Sequence, residues 1–422
     1  MFLKSILYSK STLDFLYMFL SNVLQKLFGL IRELIIAFFF GTSMLYSNFL
    51  LLRIIADLFS QFTAGNALKA NLLPKLTKIY KEHDNVSLDQ VFRFSKSTTI
   101  YIFFITQIIH TFVILLLNVE NNLLFFSLSF ILSFSICFNF LNTILLTILQ
   151  AKGLFLRFSF ASTLNSAIFT LLTYPLVSIF SIVGLALSRF FGILSTYLVY
   201  LNPMNNSSKG HAIELNTTDF NIPTLVLGNF ANIIIICSRF VAGSSGTNDI
   251  AFFMYAIVIL NSLLTAVIGN ISTILLRNIS INRNHKSLIT SLLITCFVGF
   301  LMIMLLYFFS YDIVKFIYFR GAFTMHDVQQ TSIYLYDLCF GFLLLFVATI
   351  LFQPFLSLSI SRTRIFRNRI VIFFIISLLL SSSIVFFDFN PMFKSLFAMY
   401  TSSSIVLALS IYSYLIYCRH VD

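Results

Sequence analysis

Charged residues are scarce in this sequence: they make up 10% of its 422 residues, whereas hydrophobic residues make up 59%. A water-soluble globular protein has about 25% charged residues and roughly 45–50% apolar ones. The composition therefore excludes a soluble enzyme, a nucleic-acid-binding domain and a disordered chain. Tryptophan is absent, although 53 Phe and 18 Tyr bring the aromatic content to 17%. What remains in abundance is long apolar runs.

Recognisable catalytic and metal-binding patterns are missing as well. The five cysteines are scattered through apolar runs without a CxxC spacing, which is typical of small buried side chains rather than of disulfides or metal ligands. The chain has no GxxxxGK[ST] loop, no HExxH motif and no GxSxG elbow. We therefore expect no catalytic residue, no metal and no cofactor, and we predict that the protein is not an enzyme.

The apolar runs predict the fold class, because a membrane-crossing helix needs about 20 largely apolar residues. Twelve runs meet this requirement, and the polar stretch Asn202 to Asn221 divides them into six and six. We predict an all-α integral membrane protein of about twelve transmembrane helices, in two six-helix lobes around a central cavity. The predicted domains are residues 1–203, a cytoplasmic linker at 204–221, and residues 222–422. The predicted spans lie near 12–40, 45–74, 97–118, 122–150, 158–180, 182–201, 222–243, 250–276, 288–310, 329–356, 366–387 and 395–417.

The basic residues predict the orientation in the membrane. The net charge is +12, from 27 Lys and Arg against 15 Asp and Glu. With both termini in the cytoplasm, eighteen of the 27 cations fall in cytoplasmic flanks and three, Lys315, Arg320 and Lys394, in outer loops. Such a distribution follows the positive-inside rule. It explains most of the net charge, so we expect contacts with membrane lipids and no nucleic-acid partner.

The two halves resemble each other at an offset of about two hundred residues. Each half opens with a long helix and a Gly/Ser turn, beginning at Gly41 in the first half and at Gly243 in the second. In each half a second helix then ends in a basic cytoplasmic segment. Internal repeats of this kind are typical of secondary transporters, whose substrate site lies between the repeats.

Six cations remain at membrane depth, where a charge costs at least ~2.5–3.5 kcal/mol on insertion scales and usually faces a wet interior. The carboxylates at this depth are fewer, Glu33 and Asp57 with Asp337 as a further candidate, so the surplus of positive charge favours binding of an anion. Arginine suits a pyrophosphate group, because its paired donors match phosphate oxygens. The six cations are Lys26, Arg32, Arg53, Lys69, Arg189 and Arg239.

Each of these cations also has a simpler interpretation. Lys26 and Arg32 point about 240° apart on an ideal helix, so a kink at Gly29 is needed to bring both to one cavity. Arg53 lies four residues before Asp57, and the two can neutralise each other. Arg239 can reach outward to the lipid headgroups instead of lining the cavity. Arg189 has no partner within its own span, and we interpret His110 as a hydrogen-bonded packing residue.

Several segments resemble the MviN/MurJ family of lipid II flippases, and they occur in matching order along nearly the whole chain. The opening Lys26-Leu-Phe-Gly-Leu-Ile-Arg32-Glu33, followed by Phe38-Phe-Phe-Gly41, is similar to that family's Arg-x-x-Gly-x-x-Arg-Asp stretch and Phe-Gly turn. Arg157-Phe-Ser-Phe-Ala-Ser-Thr-Leu-Asn165 resembles its Arg-Phe…Pro-Thr-Leu-Asn pattern. Gly321-Ala-Phe-Thr-Met-His-Asp327 is similar to its outer-loop Gly-x-Phe-Thr…Asp motif.

The resemblance implies a multidrug/oligosaccharidyl-lipid/polysaccharide exporter fold that moves lipid II, an undecaprenyl-pyrophosphate-linked glycan, from the cytoplasmic to the outer leaflet by alternating access. It implies the bacterial inner membrane and the peptidoglycan synthesis machinery as surroundings. It places the family's cavity cations on Lys26 and Arg32, and we add Arg53 and Arg239 as substrate-binding candidates and Gly29 and Gly41 as hinges.

The chain also departs from the family pattern. The acid after the Phe-Gly turn falls on Ser47, the second-helix Arg falls near Ser60, and the eighth-helix Asp-Arg pair falls on Ile257 and Val258. The family usually adds two helices after the twelve expected here. Rival hypotheses are another exporter of this superfamily, for lipid-linked oligosaccharides or for drugs with cation coupling, a membrane glycan transferase, and a non-transporting protein of envelope assembly.

Overall fold

The computed structural model of the chain is almost entirely helical in the part that it describes. The described residues are 10–64, 73, 76–77, 79–80, 82, 86–87, 89–117, 122–205, 211–212, 222–244, 246, 248–262, 285–357 and 360–421. In the first half the helices are α1 (Lys10–Phe40), α2 (Met44–Ala64), α3 (Asp89–Leu117), α4 (Asn122–Ala151) and α5 (Phe155–Asn205). In the second half they are α6 (Ile222–Gly243), α7 (Asp249–Ser262), α8 (His285–Tyr318), α9 (Met325–Ser357), α10 (Ile360–Ser382) and α11 (Pro391–Val421).

These helices agree with the predicted spans wherever the two can be compared. Eight helical stretches of the described residues are long and apolar enough to cross a membrane. One of these stretches contains a break at Ser181, where φ is 51° and ψ is −130°, so α5 consists of two helical arms. The break falls between the predicted spans 158–180 and 182–201. The all-α membrane fold is therefore confirmed, and the exact number of twelve spans stays a prediction.

The chain divides into two compact units. The first unit comprises Met1–Phe39 and Leu52–Asn229, and the second comprises Phe40–Leu51 and Phe230–Asp422. The turn between α1 and α2 thus groups with the second half of the chain, which the predicted domain boundaries did not anticipate. The predicted linker lies mostly outside the described residues. Of its described residues, 204–205 are the end of α5, and β2 (His211–Ala212) forms a short parallel pair with β1 (Val86–Ser87) within the first unit.

Small polar side chains join the helices of the first unit. Ser21 on α1 donates through Oγ to the carbonyl oxygen of Ser159 on α5 at 2.9 Å, and Thr170 donates to the carbonyl oxygen of Phe28 at 3.0 Å. Such residues allow close helix approach and supply hydrogen bonds where lipid offers none. His110 on α3 has its ring nitrogens 3.2 Å from Ser133 Oγ and from the Leu52 carbonyl oxygen. The interpretation of His110 as a hydrogen-bonded packing residue is confirmed.

The second unit is built around α9, which packs against α8 and α11, while α10 packs against α11. A short 3₁₀ turn, Ser383–Phe386, follows α10. Tyr334 on α9 is fully buried and donates through its hydroxyl to Asp249 Oδ1 at 2.8 Å, so its polar tip is satisfied inside the apolar bundle. Many large apolar residues of both units are exposed, as expected of helices that face lipid.

Candidate functional site: an arginine cluster in the first unit

The site begins on α2, where Arg53 and Asp57 lie one helical turn apart. Arg53 Nε is 3.6 Å from Asp57 Oδ2, which confirms the predicted pairing of these two residues. Residues four apart on a helix are neighbours on one face, so the sequence alone favours this contact. Both side chains keep only a small exposed fraction, 13% for Arg53 and 18% for Asp57.

Asp57 also binds an arginine that is distant in the sequence. Arg189, on the second arm of α5, donates from Nη2 to Asp57 Oδ1 at 3.1 Å. One carboxylate therefore joins two guanidinium groups, using one oxygen for each. The sequence alone offers no partner for Arg189, because Arg189 and Asp57 are 132 positions apart and no local spacing connects them.

Arg32 on α1 adds a third guanidinium group. Its Nη2 is 3.2 Å from Glu33 Oε1, and its Cζ lies 4.3 Å from the ring centroid of Phe169 on α5. Such a position over an aromatic face is favourable for a cation. The positive charge of Arg189 also interacts, unfavourably, with the positive charges of Arg32 and Arg53. We refer to Arg32, Glu33, Arg53, Asp57 and Arg189 as the arginine cluster.

A close helix approach holds the two arms of α5 beside this cluster. A Cβ built on Gly192 would lie 2.9 Å from both the Asn165 carbonyl oxygen and Phe169 Cβ, so only glycine fits here. Gly192 lies one turn beyond Arg189 on the second arm, and Asn165 and Phe169 belong to the first arm. The packing thus holds the helix of Arg189 close to the ring that supports Arg32.

The arginine cluster carries one surplus positive charge, because three arginines face two carboxylates. It also contains buried polar atoms without a hydrogen-bond partner: Arg32 Nε, Arg189 Nη1 and Glu33 Oε2. Buried polar groups are normally paired, and the exceptions call for an explanation. An anion with several acceptor oxygens is the kind of ligand that could use these arginine donors.

The predicted Lys26 lies apart from this arrangement. α1 is a single helix from Lys10 to Phe40, so it continues through Gly29. On a continuous helix the six residues from Lys26 to Arg32 rotate the side-chain direction by about 240°, or about 120° by the shorter way, and the Lys26 side chain is exposed. A Cβ on Gly29 would meet no atom closer than 4.0 Å, so the packing does not require glycine at this position. The substrate-binding role of Lys26 and the hinge role of Gly29 stay predictions.

Arg239 lies in the second unit, on α6. It is 3% exposed, and its Nη1 is 3.3 Å from Met254 Sδ on α7. The alternative in which Arg239 reaches out to the lipid headgroups does not agree with this burial. Its predicted role in binding substrate stays a prediction.

Two of the family-like segments meet within the second unit. Gly41 has a φ of +50°, and a Cβ on it would collide with the carbonyl oxygen of Ala322. Thr42 donates through Oγ1 to Asp327 Oδ1 at 2.6 Å, and Tyr255 donates through its hydroxyl to the Gly41 carbonyl oxygen at 2.8 Å. The Phe-Gly turn and the Gly-x-Phe-Thr…Asp segment therefore form one buried contact, in which Gly41 has a steric role.

Comparison with solved structures places this architecture in a class. A structure titled lipid II flippase MurJ, in an inward closed conformation, has a TM-score of 0.75 at 18% identity, over 93% of this chain and 86% of that chain. An inward-facing MATE family transporter of the MOP superfamily has a TM-score of 0.68 at 12% identity, over 94% of each chain. A MOP superfamily transporter from Pyrococcus furiosus has a TM-score of 0.54 at 12% identity, over 97% of this chain and 93% of that chain. The fold is that of a multi-pass, α-helical membrane transporter.

The family follows from the sequence match. The family model described as lipid II flippase MurJ matches residues 36–421, nearly the whole chain, and the chain belongs to this family. No curated protein sequence matches it. The family resemblance inferred from the short segments is thus confirmed.

Proposed function

We propose that this protein moves a polyprenyl-pyrophosphate-linked glycan of the lipid II type from the cytoplasmic to the outer leaflet of the bacterial inner membrane by alternating access. Membership of the MurJ family supports the class of cargo. We infer both termini to be cytoplasmic from the distribution of basic residues. In this proposal the protein acts as a transporter and not as an enzyme, and it works beside the peptidoglycan synthesis machinery.

The arginine cluster is the observation that carries the proposal. Three guanidinium groups come from three separate helices of an apolar bundle, two of them in contact with Asp57. Keeping them at membrane depth is costly, so a functional role is the default interpretation. The pyrophosphate is the anionic part of the cargo that is common to all glycans on this carrier, and arginine recognises it with paired donors. The polyprenyl tail can stay in lipid while the headgroup crosses.

Translocation of labelled lipid II in vesicles that contain the purified protein tests this function. We expect the wild type to move lipid II well above the rate in protein-free vesicles, and we expect Arg32→Ala to lose at least about tenfold of that rate, since it removes charge-assisted hydrogen bonds. Lys96→Ala is the matched control, because Lys96 is an exposed cation of the same unit. A wild-type rate equal to that of protein-free vesicles would overturn the proposal.

The same experiment addresses the cation-coupled drug exporter, the nearest rival on this fold. Such an exporter needs carboxylates that can exchange a cation, and the candidates at membrane depth are Asp57 and Asp337. Asp57 is in contact with two arginines, which disfavours a cation at that position. Transport of a cationic dye together with the absence of lipid II transport would favour the rival.

A further inference from the structure

The contact of Asp57 with Arg53 and Arg189 resembles the way in which arginines hold a phosphate. Asp57 Oδ1 accepts from Arg189 Nη2 at 3.1 Å, and Asp57 Oδ2 lies 3.6 Å from Arg53 Nε. Carboxylate and phosphate oxygens are both good acceptors for the planar guanidinium group, and both can be shared between two arginines. Asp57 therefore occupies a position on these donors that a phosphate oxygen could take.

A second observation indicates that Arg189 has hydrogen-bond donors that are not used. Its Nη1 atom is buried and has no hydrogen-bond partner, and Arg32 Nε is in the same condition. Arg189 also lies within electrostatic reach of both Arg53 and Arg32. An arginine held for structure alone is expected to have its buried donors satisfied. Arg189 is better explained as a residue that has a further anion to bind.

We propose that Arg189 is a direct ligand of the substrate pyrophosphate and that Asp57 is an internal competitor for the same donors. Before substrate binds, Asp57 offsets part of the positive charge of Arg53 and Arg189, which would otherwise repel each other more strongly at membrane depth. When pyrophosphate arrives, Asp57 yields the Arg189 donors to it, and Asp57 takes them back as the substrate leaves. This inference rests on the proposed function, because it names how the same site binds and releases its cargo.

Competition between Asp57 and the pyrophosphate would prevent the arginines from holding the cargo too tightly to release it. Three arginines in an apolar bundle would hold a pyrophosphate strongly, since charge pairs are stronger at low dielectric than in water. A ligand shifts a conformational equilibrium only as far as its affinities for the two states differ, and cargo that is held very tightly is released slowly. A carboxylate that competes for the same guanidinium groups weakens binding and provides an alternative partner at release.

Binding of farnesyl pyrophosphate to the purified protein in nanodiscs tests the proposal. We expect Arg189→Ala to weaken binding by about tenfold or more, because it removes charge-assisted hydrogen bonds to the phosphate. We expect Asp57→Asn to strengthen binding by about tenfold, because it removes the charged competitor while keeping the size of the side chain. The double variant Asp57→Asn/Arg189→Ala should lose most of the gain in affinity for farnesyl pyrophosphate that Asp57→Asn alone produces. Lys96→Ala and Asp388→Asn, which change exposed charges, serve as controls.

Farnesyl monophosphate distinguishes a ligand from a residue that only supports the bundle. A ligand of the pyrophosphate contributes to the preference for pyrophosphate over monophosphate, so Arg189→Ala should reduce that preference and Arg189→Lys should retain part of it. Thermal unfolding of each variant checks that the fold is kept. A merely structural Arg189 would change the unfolding temperature and leave the preference unaltered.

Several results would overturn the inference. If Asp57→Asn weakened the binding of farnesyl pyrophosphate as much as Arg189→Ala does, Asp57 would be a residue that positions Arg189 and not a competitor of the pyrophosphate. Unchanged binding by Arg189→Ala, or no binding of farnesyl pyrophosphate by the wild type, would exclude Arg189 as a ligand. Failure of the proposed function is a different result: wild-type protein that binds farnesyl pyrophosphate but moves no lipid II.

Discussion

Asp57 joins two arginines from different helices of the first unit, with Arg189 Nη2 at 3.1 Å and Arg53 Nε at 3.6 Å. These three residues connect α2 to the second arm of α5. The contact thus has two consequences, since it neutralises charge inside an apolar bundle and it fixes the position of Arg189. The first consequence can be measured as stability, independently of transport.

We predict that Asp57→Asn destabilises the fold while it strengthens pyrophosphate binding. Removing one partner of a buried ion pair leaves the other charge uncompensated, which costs about 3–5 kcal/mol when burial is complete. Because Asp57 retains 18% side-chain exposure, we expect roughly 1–3 kcal/mol. Thermal unfolding in detergent measures the loss. An unfolding temperature equal to that of Asp388→Asn, which alters an exposed carboxylate, would contradict the prediction.

A second prediction concerns Gly41, whose left-handed backbone and tight contact with Ala322 both oppose a side chain. Gly41→Ala should destabilise by roughly 2–4 kcal/mol, combining the backbone cost with overpacking. Gly153→Ala is a matched control, because Gly153 also has a positive φ, +70°, but no atom lies within 4 Å of its Cβ position. Equal losses of stability in the two variants would show that the contact with Ala322 contributes nothing.

Asp327 should be important for the stability of the second unit. Its Oδ2 accepts from the Thr324 backbone amide at 2.7 Å while Thr324 Oγ1 lies 3.3 Å from the Asp327 amide, which is a capping box at the start of α9. Oδ1 accepts the bond from Thr42. We expect Asp327→Ala to cost roughly 1–3 kcal/mol in the free energy of unfolding. Asp388→Ala should leave the unfolding temperature nearly unchanged, and a similar drop in both variants would argue against the capping role.

Gly29→Ala separates a hinge from an ordinary helical position. The site has room for a methyl group, so alanine should leave the free energy of unfolding unchanged or raise it by up to about 1 kcal/mol through its higher helix propensity. Thermal unfolding measures this effect. If α1 bends at Gly29 during transport, lipid II translocation should fall severalfold in the same protein. Translocation at the wild-type rate would mean that Gly29 is not a hinge.

Local patterns in the sequence predicted the helices and the contacts within them. The apolar runs located the helices, the Phe-Gly sequence marked the turn after α1, and the spacing of Arg53 and Asp57 predicted their pairing. These features depend on residues close together in the chain, where spacing translates directly into geometry. The break at Ser181 agrees with the boundary between the fifth and sixth predicted spans, although nothing marked Ser181 itself.

Contacts between distant segments could not be predicted in this way. The partner of Arg189 lies on another helix, 132 positions away, and the two residues meet through tertiary packing that no local spacing encodes. The grouping of the Gly41 turn with the second half is also a property of the folded chain, because Thr42 and Asp327 are 285 positions apart. The kink expected at Gly29 relied on the assumption that Lys26 and Arg32 share one site; α1 is continuous through Gly29 in this structure, and the shared site stays a prediction.

The most direct test of the account compares translocation of the same glycan on two polyprenyl carriers, one linked through pyrophosphate and one through monophosphate. If the arginine cluster recognises the pyrophosphate, wild-type protein in vesicles should move the pyrophosphate-linked form about tenfold faster or more, and Arg32→Ala should largely abolish the difference. Equal rates for the two carriers in the wild type would contradict the account, because the arginines would then have no part in recognising the cargo.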